Sequence, residues 1–219
     1  MAWTIAFVSQ KGGCGKSTLS RLFAQQFVAG ELTAIIADMD HWQGTSTKWA
    51  AIRAREGLTG VDVVACSTVQ EALRAGKTAD VLVIDGRAFA DKQTLEVAKA
   101  SDLVVLPTGP SPDDLEPSVL LAHDLVQAGI ERNRIRFALF RVEAGALAET
   151  RDARDYIMGG GYEVFAAVLP RAISYYRAMA EGCSPAETVN PLTGQPYERL
   201  NQAAIDLADE MAGVLLDLA

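Results

Sequence analysis

The sequence predicts an α/β protein of three layers: a doubly wound, mostly parallel sheet flanked by helices on both faces. Short apolar runs rich in β-branched residues recur along the chain and read as strands buried on both sides. The longer segments between them carry the spacing of amphipathic helices. A glycine-rich turn, KGGCGKST at 11–18, lies directly between the first run and the first helical pattern, at the strand end where open parallel sheets bind ligands.

The runs are TIAFVS from Thr4, TAIIAD from Thr33, VDVVAC from Val61, VLVID from Val81, DLVVLP from Asp102, IRFALF from Ile135 and VFAAVLP from Val164. Helical spacing occupies residues 16–29, 44–56, 69–75, 94–100, 112–128 and 146–158. The fifth helix has a start signal, with Ser111 as N-cap, Pro112 at the first helical position, and Asp113 and Asp114 in the positive first turn. GGGY at 159–162 stops the sixth, and NPLTGQP from Asn190 reads as a surface loop. Leu200, Ala204, Leu207, Met211 and Leu215 mark one face of a closing helix over 197–218. No repeat, low-complexity tract or linker interrupts the pattern, so a single domain over 1–219 is expected.

With 219 residues, of which 49% are hydrophobic and 22% charged, the chain can bury a core without disulfides or metal staples. The N-terminus has no basic leader and no apolar run approaches membrane-spanning length, so a soluble, unprocessed, cytoplasmic protein is expected. Cys14, Cys66 and Cys183 are too scattered for a disulfide framework or a zinc site. A net charge of -8 weighs against a protein coated in nucleic acid.

Glycines in KGGCGKST let successive N–H groups of Gly12, Gly13, Cys14 and Gly15 converge on phosphate oxygens, and the following helix adds its positive end. Lys16 is placed to reach the β- and γ-phosphates, the Ser17 hydroxyl to bind Mg²⁺, and Thr18 to serve the α-phosphate. The lysine of the loop is thus Lys16, and Lys11 is surplus to it. Gln10 stands where the general GxxxxGK[ST] form has its first glycine. In this form the loop resembles the deviant Walker A motif, KGGxGK[ST], of the ParA/MinD family of P-loop ATPases. The resemblance implies ATP and Mg²⁺ as cofactors, and a role for Lys11 on the nucleotide of a partner subunit. A cation supplied in trans neutralises γ-phosphate charge only when two loaded subunits face each other.

The second run ends in IIADMDHWQGTSTKW, which resembles the family's second loop, DxDPQG, with Asp38 and Asp40 at its acidic positions. Asp40 would then orient or polarise the attacking water. His41 and Trp42 stand where one proline is usual, so the loop is one residue longer. Capping of the next helix is the structural alternative for both aspartates. VLVIDG has the Walker B pattern, in which Asp85 holds Mg²⁺ through water, and Gly86 is expected to let backbone approach phosphate. By the same resemblance Arg141 would lie beside the adenine, and Pro170 would belong to a stretch that closes over the base and continues into a helix.

Cys14 sits where a thiolate could be stabilised, though the loop needs only its N–H. Arg132, Arg134 and Arg136, joined by Arg151, Arg154, Arg171 or Arg177, could form a DNA-phosphate patch or a solvated surface. The last helix carries Asp206, Asp209, Glu210 and Asp217 with no Lys or Arg after Arg199, so membrane anchoring is not expected. The resemblance implies an ATPase that dimerises on ATP and hydrolyses it slowly to position a plasmid, chromosome region or protein cargo. It also implies a ParB-like or adaptor partner that stimulates turnover, and nonspecific DNA binding with nucleoid association. The alternatives are a metabolic or metal-maturation ATPase on the same fold, and a nucleotide switch with little turnover.

Overall fold

The structure is a computed structural model that describes residues 2–40, 42–88 and 92–218. Strands β1 (Trp3–Ser9), β2 (Ala34–Asp38), β3 (Asp62–Ala65), β4 (Val81–Ala88), β5 (Leu103–Thr108), β6 (Ile135–Val142), β7 (Glu163–Val164) and β8 (Leu169–Pro170) alternate with helices. These are α1 (Lys16–Ala29), α2 (Thr45–Arg55), α3 (Val69–Ala75), α4 (Lys92–Ala100), α5 (Pro112–Gln127), α6 (Leu147–Gly159), α7 (Ile173–Ala180) and α8 (Glu198–Asp217). The strands form an eight-stranded sheet in the order β3-β2-β4-β1-β5-β6-β7, with β8 also paired to β6. Every ladder in it is parallel.

Because side chains alternate across a strand, the sheet has two apolar faces. Ala6, Val8, Ala37, Ile84, Val104 and Leu139 face a cluster completed by α3, α4, α5 and α6. Ile5, Phe7, Ile36, Val83, Val105 and Phe140 face another completed by α1, α2, α7 and α8. Ala204, Leu207, Met211 and Leu215 of α8 are buried in the second cluster, so its apolar face is spent inside the protein. Among the described residues no helix is long and apolar enough to cross a membrane.

The expected strand from Val164 is instead two short strands, β7 and β8, separated by an irregular turn. Side chains capture the backbone there. Glu210 accepts from the N–H groups of Ala166 and Ala167 at 2.6 and 2.8 Å, and Arg154 donates to the carbonyls of Phe165 and Ala166 at 2.8 and 2.7 Å. Ser111 does occupy the N-cap of α5, but its hydroxyl donates to Asp114 Oδ2 at 2.9 Å rather than accepting from the helix backbone.

Register sets the site. β4 lies between β1 and β2, and Asp85 pairs with Phe7 on one side and Asp38 on the other. The carboxylate therefore emerges beside the loop that follows β1.

Candidate functional site

Gly13 and Gly15 hold the loop in the left-handed region, at φ +76° and +109°. A Cβ on Gly15 would also lie 2.7 Å from the Phe140 ring. Gly15 caps α1 without a side-chain bond, so the first-turn N–H groups remain directed at the loop. Lys16 is buried and its Nζ donates to the Lys11 carbonyl at 3.2 Å, within the loop itself. Cys14 Sγ donates to the same carbonyl at 3.3 Å and lies 3.9 Å from Lys16 Nζ. Cys66 is buried and Cys183 half-buried.

Ser17 Oγ donates to Asp85 Oδ1 at 3.2 Å, which brings the two expected magnesium ligands together. The other Asp85 oxygen accepts from Ser46 Oγ at 2.6 Å, and Ser46 accepts from Arg21 Nε at 3.1 Å. Burial pushes the Asp85 carboxyl up to about 6; nearby Asp38 adds to the rise, while bonds from Ser46 and Ser17 and the charge of Arg21 oppose it. Burial also lowers the Arg21 guanidinium to about 10 against the attraction of Asp85 and Asp38, which leaves it a cation at neutral pH. Arg21 and Ser46 were not among the expected residues. The signal was present: Ser17 and Arg21 are four apart, on one face of a helix whose neighbours Leu19, Leu22 and Phe23 are core.

Asp38 is buried, and its oxygens are taken by protein donors. Oδ2 accepts from the Thr47 N–H and hydroxyl at 2.9 and 3.0 Å, and Oδ1 from the Asp40 N–H at 3.2 Å. Through these bonds Asp38 anchors the start of α2. Asp40 is half-buried; its Oδ1 accepts from the Gln43 N–H at 3.1 Å and its carbonyl from Gly44 at 2.6 Å, closing a tight turn that aims the loop. His41 lies outside the described residues.

A Cβ on Gly86 would lie 2.7 Å from the Phe7 carbonyl oxygen, so the neighbouring strand itself requires the glycine.

Lys11 does not enter its own loop. Its Nζ donates to the Asp113 carbonyl and lies 3.4 Å from Asp114 Oδ1, on the first turn of α5. Lys11 and Asp114 are each 43% exposed. They line a cavity of about 410 Å³ with Gly12, Gly13 and Arg171.

A second cavity, of about 140 Å³, is lined by Thr18, Arg21, Pro170, Tyr175 and Met179. Phe140 and Arg141 form the wall shared by both cavities. Arg141 adopts φ +59° at an irregularity in the β6–β8 ladder, which throws its side chain out of the sheet. Its guanidinium stacks 5.2 Å from the Phe140 ring and 5.5 Å from that of Tyr176. Arg141 and Pro170 thus share the smaller cavity, beside the loop.

The donors suit a magnesium nucleotide. Magnesium takes hard oxygens and usually only one or two from protein, which the Ser17 hydroxyl and Asp85 carboxylate supply. The glycine cradle, the buried Lys16 and the start of α1 suit the phosphates.

Several arginines of the expected basic patch are paired within the protein. Arg136 pairs with Glu163 at 2.8 Å, Arg171 with Glu143 at 2.7 Å and Arg151 with Asp152 at 3.6 Å. Arg132 donates to the Gly160 carbonyl and stacks on Tyr162, Arg134 donates to the Ser101 carbonyl, and Arg154 is spent at the β7–β8 turn. His123 bonds Tyr162 through Nδ1 at 2.8 Å on the flank of α5.

Residues 5–185 match the CobQ/CobB/MinD/ParA nucleotide binding domain. The chain is 30% identical over 183 residues to the maintenance of carboxysome distribution protein A of Gloeobacter kilaueensis, covering 82% of each. Among solved structures it resembles the septum site-determining protein MinD of Pyrococcus horikoshii, complexed with Mg-ADP. The TM-score is 0.76 at 18% identity, over 100% of this chain and 99% of the other. It also resembles an ATP complex of McdA from Cyanothece, with a TM-score of 0.69 at 15% identity over 96% of each chain. By that match the chain belongs to the CobQ/CobB/MinD/ParA family of nucleotide-binding domains.

Proposed function

We propose that the chain is a Mg²⁺-dependent ATPase that dimerises when loaded with ATP and couples slow turnover to the distribution of a cargo. The observation that carries this reading is the division of labour between two lysines. Lys16 is buried in its own loop, whereas Lys11 stands half-exposed on the rim with its charge directed away from that loop. A rim cation of this kind serves a second loaded subunit better than its own.

Lys16 and the first-turn N–H groups of α1 bind the phosphates, Thr18 lies beside the α-phosphate, and Arg141 and Pro170 border the base. Ser17 and Asp85 would hold magnesium, which would supply charge neutralisation at the phosphates. Asp38 fixes the start of α2, and Asp40 orients the attacking water. Lys11 of the partner neutralises charge that develops on the γ-phosphate, which makes hydrolysis depend on dimerisation. The relative from Gloeobacter kilaueensis is named for carboxysome distribution, which supports a large protein assembly as cargo and an adaptor protein as the stimulating partner. The test is steady-state ATP hydrolysis over a range of protein concentrations. Activity per molecule should rise with concentration and then plateau. Activity per molecule that is flat across the range, down to high dilution, contradicts an ATP-driven dimer.

A further inference from the structure

Arg21 is 5% exposed and sits in the floor between α1 and α2, with its guanidinium 5.6 Å from the Trp49 ring. Its Nε donates to Ser46 Oγ at 3.1 Å, and Ser46, fully buried, donates to Asp85 Oδ2 at 2.6 Å. Arginine can only donate. The Ser46 oxygen facing Arg21 must therefore act as acceptor, and its proton is committed to Asp85. Without the guanidinium that hydroxyl could turn to another acceptor. With it, Oδ2 of Asp85 is pinned and Oδ1 is left toward Ser17, where it accepts at 3.2 Å.

We infer that Arg21 and Ser46 are positioning residues for the magnesium ligand Asp85: the buried guanidinium fixes the Ser46 hydroxyl, which fixes the carboxylate in the orientation that meets the metal's coordination sphere. This rests on the magnesium-nucleotide reading above. Rigid support behind a ligand is what makes a metal site selective and tight. α2, which carries Ser46, is itself immobilised. Trp49 Nε1 donates to the Cys183 carbonyl at 3.0 Å, and Arg53 makes two 2.8 Å bonds to Glu187. The relay is therefore built on a fixed frame. Packing of Arg21 on Trp49 alone would give it a merely structural role, and the two roles differ in one measurable respect. Loss of packing weakens nucleotide binding with or without metal, whereas loss of the relay weakens only the part that magnesium adds.

The test is calorimetric ADP affinity in Mg²⁺ and in EDTA for wild type, Ser46→Ala, Arg21→Met and the double variant, with circular dichroism to verify folding. In EDTA the affinity of Ser46→Ala should agree with wild type within about twofold. The magnesium-dependent gain should fall by about tenfold in each single variant, the size expected for losing one hydrogen bond to a charged group. Since Arg21 acts through Ser46, the double variant should lose no more than Ser46→Ala alone. Ser46→Ala removes a single atom and carries the test even if Arg21→Met fails to fold. A magnesium gain of wild-type size in Ser46→Ala, or losses that add in the double variant, would overturn the inference. Wild-type protein that binds ADP without any magnesium gain overturns it as well, and wild-type protein that binds no nucleotide overturns the underlying reading too.

Discussion

Lys11 and Asp114 meet across the mouth of the site, the lysine Nζ 3.4 Å from Asp114 Oδ1 and bonded to the neighbouring Asp113 carbonyl. The lysine proposed to act on a partner is held in cis, on the first turn of α5. Because the pair is about half exposed, it is worth little, on the order of 1 kcal/mol or less. Such a contact can be exchanged for a phosphate without a large penalty.

Asp114→Ala should therefore release Lys11 early. Thermal stability should change little, and the ATP concentration at which half the protein is dimeric should fall by about threefold, the equivalent of a fraction of a kcal/mol. Titration of solution mass against ATP measures this. A half-point that stays in place or rises shows that the Asp114 contact does not compete with dimerisation.

Asp85 is a buried carboxylate whose folded value, about 6, lies above the ordinary aspartate value of 3.8. For an acid raised in this way, the protonated form favours the fold. That stabilisation is complete below about 3.8 and is lost as pH rises through about 6. In EDTA, Asp85→Asn should thus melt higher than wild type at pH 7, by an amount on the order of 2 kcal/mol, and the advantage should vanish toward pH 4. With Mg²⁺ and ADP the order should reverse, since binding then stabilises only wild type. Melting curves at both pH values decide it; an Asn variant less stable than wild type in EDTA at pH 7 would refute the burial argument.

Gly86→Ala should cost about 1–3 kcal/mol of stability, because its Cβ would press on the Phe7 carbonyl at 2.7 Å. Denaturant unfolding measures the loss. A fully stable variant that has lost only nucleotide affinity would contradict the strand-contact reason and favour close approach of a phosphate.

In its nucleotide-free form the chain should not retain duplex DNA at physiological salt. Its net charge is -8, and Arg132, Arg134, Arg136, Arg154 and Arg171 are all engaged within the protein. Electrophoretic mobility shift tests this, and a salt-sensitive shift without nucleotide would show a basic surface elsewhere.

Much of the site was legible because local order carries it. Lys16, Ser17 and Asp85 fall in register behind apolar strands, and the glycines announce the loop. What sequence could not show depends on partners far along the chain. VFAAVLP has a strand's composition, yet Arg154 and Glu210 take the backbone groups a ladder would have used. The arginines look like a patch in sequence, but the acceptors that claim them lie up to 36 residues away. The link from Arg21 to Ser46 lay hidden for a related reason: the two are 25 residues apart, and only the packing of α1 against α2 joins them.

Dimerisation through Lys11 is most directly tested by solution mass in ATP and Mg²⁺, with Asp40→Ala to suppress turnover and Lys11→Ala in the same background. The expected result is a dimer for Asp40→Ala, and a monomer once Lys11 is also removed. A mass that nucleotide leaves unchanged in every variant, or an Asp40→Ala dimer that survives loss of Lys11, would contradict a lysine acting across the subunit boundary.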